Sequence, residues 1–80
     1  MTISEAVATK VRKILKEQNM SQYKLEQITT IPHGTMNCFL NGRYKSCNLT
    51  TVFLIIQALE MAPEEFFADP IFKSTDLLVE

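Results

Sequence analysis

Apolar side chains recur at helical spacing in two long segments of the chain. From Ser4 to Asn19 they include Val7, Val11 and Ile14, while charged residues occupy the other side. This pattern predicts an amphipathic first helix. From Leu49 to Glu60 only four polar residues interrupt an otherwise apolar segment. Such a segment, apolar almost all round, predicts a central, buried helix.

Two short helices joined by a tight turn are predicted between these segments. Ser21 is a suitable N-cap for a helix from Gln22 to about Thr29, because its hydroxyl can accept a backbone N–H that lacks a partner within the helix. Pro32 suits the first turn of a second helix, which starts there or one residue later, since its missing N–H is not needed at that position. The glycine of Asn41-Gly42 ends this helix in the left-handed conformation that suits a C-cap.

A fifth short helix completes an all-α chain. Pro63 opens it, its first turn is acidic as the helix dipole favours, and Pro70 ends it. We therefore predict a compact five-helix bundle over residues 1–69 and a short C-terminal segment over residues 70–80 that is a candidate dimerisation element. Because an 80-residue chain buries only about 60–65% of its unfolded surface, a second domain or a large substrate cavity is not expected.

The pair of short helices is the most informative feature about function. In a helix-turn-helix, the second helix needs an apolar back that packs on the bundle and a front whose small or hydrogen-bonding side chains reach base edges in the DNA major groove. Met36, Phe39 and Leu40 supply such a back. The front consists of His33, Gly34, Asn37 and Cys38.

Three strings of residues are informative together because of their order and spacing. They are Met20-Ser21-Gln22-Tyr23-Lys24-Leu25, the segment from Ile31 to Arg43, and Leu49-Thr50-Thr51-Val52 with Ala58-Leu59. Over roughly Glu5 to Phe67 the chain thus resembles the phage repressor and Cro-like (Xre-type) family of helix-turn-helix regulators. The resemblance implies a lambda-repressor-like fold whose third helix enters the major groove, usually as a dimer on a two-fold-related operator.

The resemblance also implies roles for individual residues. Asn37 matches a base-contacting position and can pair bidentately with adenine, while His33 can donate to a guanine acceptor. The full set of base-contacting positions is His33, Gly34, Asn37 and Cys38. The matching phosphate-contacting positions, which would set register, are Ser21, Gln22, Thr35, Asn41, Arg43, Lys45, Ser46 and Asn48.

The chain departs from the family pattern at several positions. Glu26 and Thr30 stand where family members often have Ala and Gly, which predicts a looser or slightly strained turn. Glu60 stands where glycine commonly ends the fourth helix. Leu15 and Leu40 replace a buried Arg–Glu pair of some phage repressors, and their joint replacement leaves no buried charge without a partner.

The last third of the chain carries more apolar residues than so small a core must absorb. We therefore expect some of them to lie between two subunits of a two-fold homodimer, with the recognition helices about 34 Å apart. The residues expected at this interface are Phe53, Phe67, Ile71, Phe72, Leu77 and Leu78.

The charge of the chain is nearly balanced but unevenly distributed. The formal net charge of −1 argues, taken alone, against nucleic acid as a partner. Residues 1–48, however, hold seven Lys and Arg against three Asp and Glu, a net charge of +4, whereas residues 49–80 hold one against six, a net charge of −5. We therefore expect the basic half, which contains the helix-turn-helix, to face DNA and the acidic half to point away.

Several other functions have weaker support. His33 is the only histidine, and no activated nucleophile or Gly-rich phosphate loop accompanies it, so we expect neither an enzyme nor a cofactor. A metal site formed by His33, Cys38 and Cys47 is not expected, because these residues lack the close paired spacing that zinc ligands normally have. Oxidation of Cys38 at the DNA face is an alternative that stays open.

The leading hypothesis is a sequence-specific, double-stranded DNA-binding transcriptional regulator, for which we favour a repressor over an activator. With no apolar segment near the roughly 20 residues that span a bilayer and no signal peptide, a cytoplasmic location is expected. The alternative is a protein-binding module, an antitoxin-like or anti-repressor partner that uses the helix-turn-helix face or the acidic end to bind a protein.

Overall fold

The computed structural model describes residues 1–43 and 48–73, and within these ranges the predicted all-α fold is confirmed. The α-helices are α1 (Ile3–Glu17), α2 (Gln22–Thr29), α3 (His33–Leu40), α4 (Leu49–Ala58) and α5 (Pro63–Phe66). A 3₁₀ helix follows at Pro70–Lys73. None of the described helices has both the length and the apolar character needed to cross a bilayer.

One hydrophobic core is shared by all five α-helices. Leu25, Met36, Ile55 and Phe66 are fully buried and come from α2, α3, α4 and α5 in turn. The apolar side of α1 contributes Val7, Val11, Ile14 and Leu15. Because α1 packs on α3, and α2 packs on both α3 and α4, the core fixes the position of the two short helices that form the helix-turn-helix.

Among the described helices, α1, α2 and α4 begin at side-chain caps. Thr2 Oγ1 accepts the Glu5 N–H at 3.0 Å, and the Glu5 carboxylate accepts the Thr2 N–H at 2.8 Å, so a capping box starts α1 one residue before the predicted position. The Thr2 N–H also lowers the pKa of Glu5. At α2 the predicted cap is confirmed, since Ser21 Oγ accepts the Lys24 N–H at 3.1 Å.

In the part of the chain that the structure describes, four helices end at a residue with left-handed backbone conformation. These residues are Asn19 (φ 56°) after α1, Thr30 (φ 60°) after α2, Gly42 (φ 67°) after α3 and Glu60 (φ 58°) after α4. The predicted strain is therefore present at Thr30, where a side chain branched at Cβ occupies a conformation that costs an L-residue roughly 1–2 kcal/mol. Because Glu60 has left the helix, α4 ends at Ala58 rather than at Glu60 as predicted.

The prediction that α4 is buried all round is wrong for the described residues. Val52 and Ile55 face the core, because α4 packs on α2 and α5 along one side. The opposite side is apolar but exposed, with Leu49 at 69% exposure and with Phe53 and Leu54 next to it. This exposed surface includes Phe53, one of the residues expected at a subunit interface.

A mostly buried ion pair connects α1 to the residue just before the 3₁₀ helix. Lys10 Nζ lies 2.9 Å from Asp69 Oδ2, and the two side chains are 11% and 13% exposed. Asp69 Oδ1 also accepts the Ile71 N–H at 2.9 Å. This backbone hydrogen bond, with the hydrogen bond from Lys10, lowers the pKa of Asp69 to about 2.

Gly42→Ala is expected to destabilise the fold by about 1–2 kcal/mol, because the residue adopts a left-handed conformation. An added Cβ would also lie 3.0 Å from Glu5 Cγ and 3.2 Å from Glu5 Cα. Gly34→Ala is the matched control, since a Cβ there meets nothing within 4 Å, and it should leave stability unchanged or raise it by up to about 1 kcal/mol. Urea unfolding monitored by circular dichroism measures both variants, and equal effects would contradict this account of Gly42.

Asp69→Asn is expected to lower the free energy of unfolding at pH 7 and to have little effect near pH 2. A carboxylate whose pKa is depressed in the folded state stabilises the protein above its ordinary pKa of 3.8, and this contribution is lost as the pH falls from about 4 to about 2. Urea unfolding at pH 7, 4, 3 and 2 measures the difference between wild type and variant. Glu64→Gln, at an exposed carboxylate of α5, is the control for loss of one negative charge.

Candidate nucleic-acid interface

Helix α3 has one buried face and one exposed face, as predicted. Met36, Phe39 and Leu40 are at most 5% exposed and hold the helix on the bundle. Four positions of α3 are exposed, and the last three lie one, four and five residues after the first. This spacing places all four on the opposite face of the helix. They are the predicted base-contacting residues His33, Gly34, Asn37 and Cys38.

The exposed face of α3 is built from small and polar groups. Gly34 has open space where a side chain would project, and Cys38 is an exposed free thiol. The Asn41 side-chain amide donates to the Asn37 backbone carbonyl at 2.7 Å, at the end of the helix, and Asn37 itself is exposed. A partner can therefore approach this face closely. Cys47, the third residue considered as a metal ligand, lies outside the described residues.

The turn before α3 is three residues long, which confirms the predicted tight turn. Thr29 is buried, and its hydroxyl donates to the Leu25 carbonyl at 2.8 Å while accepting the Ile31 N–H at 3.3 Å. Ile31 itself packs against the core. These contacts, together with the left-handed Thr30, fix the angle at which α3 leaves α2.

Five of the predicted phosphate-contacting residues lie at or just beyond the ends of three helices. Ser21 and Gln22 begin α2, and Asn48 begins α4, where its side chain accepts the Thr50 N–H at 2.8 Å. Asn41 and Arg43 are exposed just after α3. Helix N-termini attract anions because their first N–H groups point outward. Thr35 is half-buried within α3, and Lys45 and Ser46 lie outside the described residues.

Glu26 is a residue of this site that sequence reasoning missed. Its Oε2 atom accepts a hydrogen bond from Gln22 Nε2 at 2.9 Å and lies 2.8 Å from His33 Nδ1. The hydrogen bond from Gln22, followed by that from His33, lowers the pKa of Glu26. The four-residue spacing of Gln22 and Glu26 on one helix was the available signal. The carboxylate thus joins a predicted phosphate-contacting residue to a predicted base-contacting one.

Part of the basic charge of α1 is neutralised within the chain. Lys10 and Lys13 both approach Asp69 Oδ2, at 2.9 Å and 3.6 Å. This contact joins the basic half of the sequence to the acidic half. The basic and acidic surfaces of the protein therefore meet at Asp69 instead of being fully separated. The cation of Arg43, next to α3, is exposed.

The residues predicted at a dimer interface have different environments. Phe53 and Phe67 are exposed, whereas Ile71 and Phe72 are half-buried. Phe72 packs against the core of its own chain, with its ring centroid 5.7 Å from that of Phe66. The exposed apolar side chains line a shallow groove along α4, formed by Leu49, Thr50, Phe53, Leu54 and Gln57. Leu77 and Leu78 lie outside the described residues.

Comparison with known proteins identifies the family. Comparisons with curated proteins and with solved structures yield no match. Residues 10–70, which include the whole helix-turn-helix, match the family described as the Cro/C1-type HTH DNA-binding domain. This match covers more than half of the chain and agrees with the buried and exposed faces of α3. The chain therefore belongs to the Cro/C1-type HTH DNA-binding domain family.

Proposed function

We propose that this protein is a sequence-specific transcriptional regulator that places α3 in the major groove of double-stranded DNA. The observation that carries the proposal is the division of α3 into a buried apolar face and an exposed face of small, hydrogen-bonding residues. A helix of eight residues held from behind in this way fits a groove about 12 Å wide.

Two kinds of contact have separate roles in this proposal. On α3, Asn37 pairs with an adenine edge, and Gly34 lets the helix backbone come close to the base pairs. Around α3, Gln22, Arg43 and Asn48 contact phosphates and set the register of the helix along the groove. The exposed Arg43 supplies the charge in this second set, and helix N-termini supply oriented N–H groups.

The regulator acts as a cytoplasmic homodimer and represses transcription by occupying its operator. The exposed apolar side of α4, with Phe53 and Leu54, is the surface that a second copy would cover. Two copies related by two-fold symmetry present two recognition helices to successive major grooves on one side of the duplex. A bound dimer then represses by excluding other proteins from the same DNA.

Selection from a random DNA pool should enrich one site. Asn37→Ala is expected to weaken binding to that site about 5–100-fold, through loss of preference at a single base pair.

Arg43→Ala should weaken binding to all sequences and reduce the slope of log affinity against log salt by about 1. Lys73→Ala removes the same charge from the 3₁₀ helix and should leave the slope unchanged. Absence of an enriched sequence, with no salt dependence, would instead support a protein-binding module.

Sedimentation equilibrium at micromolar concentration should show a dimer. Phe53→Glu is expected to shift this equilibrium to monomer, because it places a charge in the apolar side of α4. Ile28→Glu is the matched control, since Ile28 is an exposed apolar residue of α2 outside the expected interface. A selected site without two-fold symmetry, together with a wild-type monomer, would refute the dimer.

A further inference from the structure

The carboxylate of Glu26 lies between the two helices of the helix-turn-helix. Its side chain is only 11% exposed, whereas that of His33 is 76% exposed. Oxygen Oε2 of Glu26 is 2.8 Å from His33 Nδ1, and Gln22 Nε2 donates to the same oxygen at 2.9 Å. The imidazole of His33 is therefore held on one side by a covered acceptor, while most of the ring stands in solvent.

The charge state of Glu26 decides which nitrogen of His33 carries the proton. The hydrogen bond from Gln22 lowers the pKa of Glu26, so the carboxylate is ionised at neutral pH. An ionised carboxylate has no hydrogen to donate, and a contact of 2.8 Å with it requires a proton on Nδ1. A neutral imidazole has one N–H only, so Nε2 is left with its lone pair.

We propose that Glu26 determines the base preference of His33 by holding the Nδ1 proton, so that neutral His33 presents Nε2 as a hydrogen-bond acceptor. The groups that match an acceptor in the major groove are the N6 amino group of adenine and the N4 amino group of cytosine. Guanine presents only acceptors, N7 and O6, at its major-groove edge and is disfavoured, which reverses the guanine contact expected for His33 from the sequence. This inference rests on the proposed function, because it assumes that α3 contacts base edges.

Glu26 acts here as a positioning residue and does not itself contact DNA. Its carboxylate is covered by the two side chains that donate to it, and Gln22 keeps Oε2 in place from α2. A glutamine at position 26 would have an amide that either donates or accepts, and would therefore allow both neutral forms of His33. The Glu26→Gln variant thus removes the fixed proton while keeping the size and shape of the side chain.

Nitrogen-15 NMR of the free protein at pH 8 tests the first step without any DNA. His33 is the only histidine, so the spectrum contains a single imidazole. We expect long-range correlation spectra to show a protonated Nδ1 in the wild type and a mixture of both neutral forms in Glu26→Gln. A wild-type spectrum with the proton on Nε2 would overturn the inference and leave the proposed function untouched.

Selection from a random DNA pool at pH 8 tests the second step. Wild type should prefer adenine or cytosine over guanine at one position of the site, and Glu26→Gln should reduce that preference about 5–20-fold at this position alone. Glu17→Gln is the matched control, since it removes the same charge from the exposed end of α1. It should strengthen binding to all sequences slightly, as Glu26→Gln does, without changing any base preference.

A double-variant comparison separates the role of His33 from a general change in the turn. In the His33→Gln background the amide both donates and accepts, so adding Glu26→Gln should change no base preference. A change of equal size in both backgrounds would overturn the role of His33. If Nδ1 carries the proton but no DNA sequence is enriched, the proposed function fails and the base preference fails with it.

Discussion

The burial of Met36, Phe39 and Leu40 is the interaction on which the rest of this structure depends. A helix of eight residues is too short to be stable alone in water, so α3 is helical because its apolar side is packed on the bundle. The same packing leaves the opposite side exposed and determines which residues a partner can touch. Leu40 also shows how the chain keeps this core free of charge, since it packs at the position where some relatives place a glutamate and Leu15 is buried with it.

Short helices require abrupt ends, and within residues 1–43 and 48–73 three of the four left-handed ends form without glycine. At Asn19, Thr30 and Glu60 the backbone adopts a conformation that an L-residue seldom takes. The helix ends persist because the following residue is fixed by the core, as Ile31 and Met61 are. The packing of the following residue in the core, rather than the backbone preference of the terminal residue, therefore sets where these helices end.

Sequence periodicity predicted which face of each helix is apolar better than it predicted which other helices cover that face. The spacing of apolar residues was sufficient to assign the two faces of α3, and Gly42 was sufficient to mark its end. Periodicity does not say which side of an apolar helix a neighbour will cover, so the exposure of Leu49 was missed. The contact of Glu26 with His33 also depends on the geometry of the turn, which becomes known only when both helices are placed.

The arrangement of charge favours discrimination between sequences over strong attraction to all DNA. Affinity for DNA in general grows with the number of phosphates that cations neutralise. Here Lys10 and Lys13 are engaged by Asp69, and a carboxylate, Glu26, lies beneath the face of α3. Both features weaken attraction to the DNA backbone, while the proposed orientation of the His33 ring would add a contact whose strength depends on the base. Under the proposed function, a regulator built in this way would gain specificity by lowering its affinity for the wrong sites as well as by binding the right one.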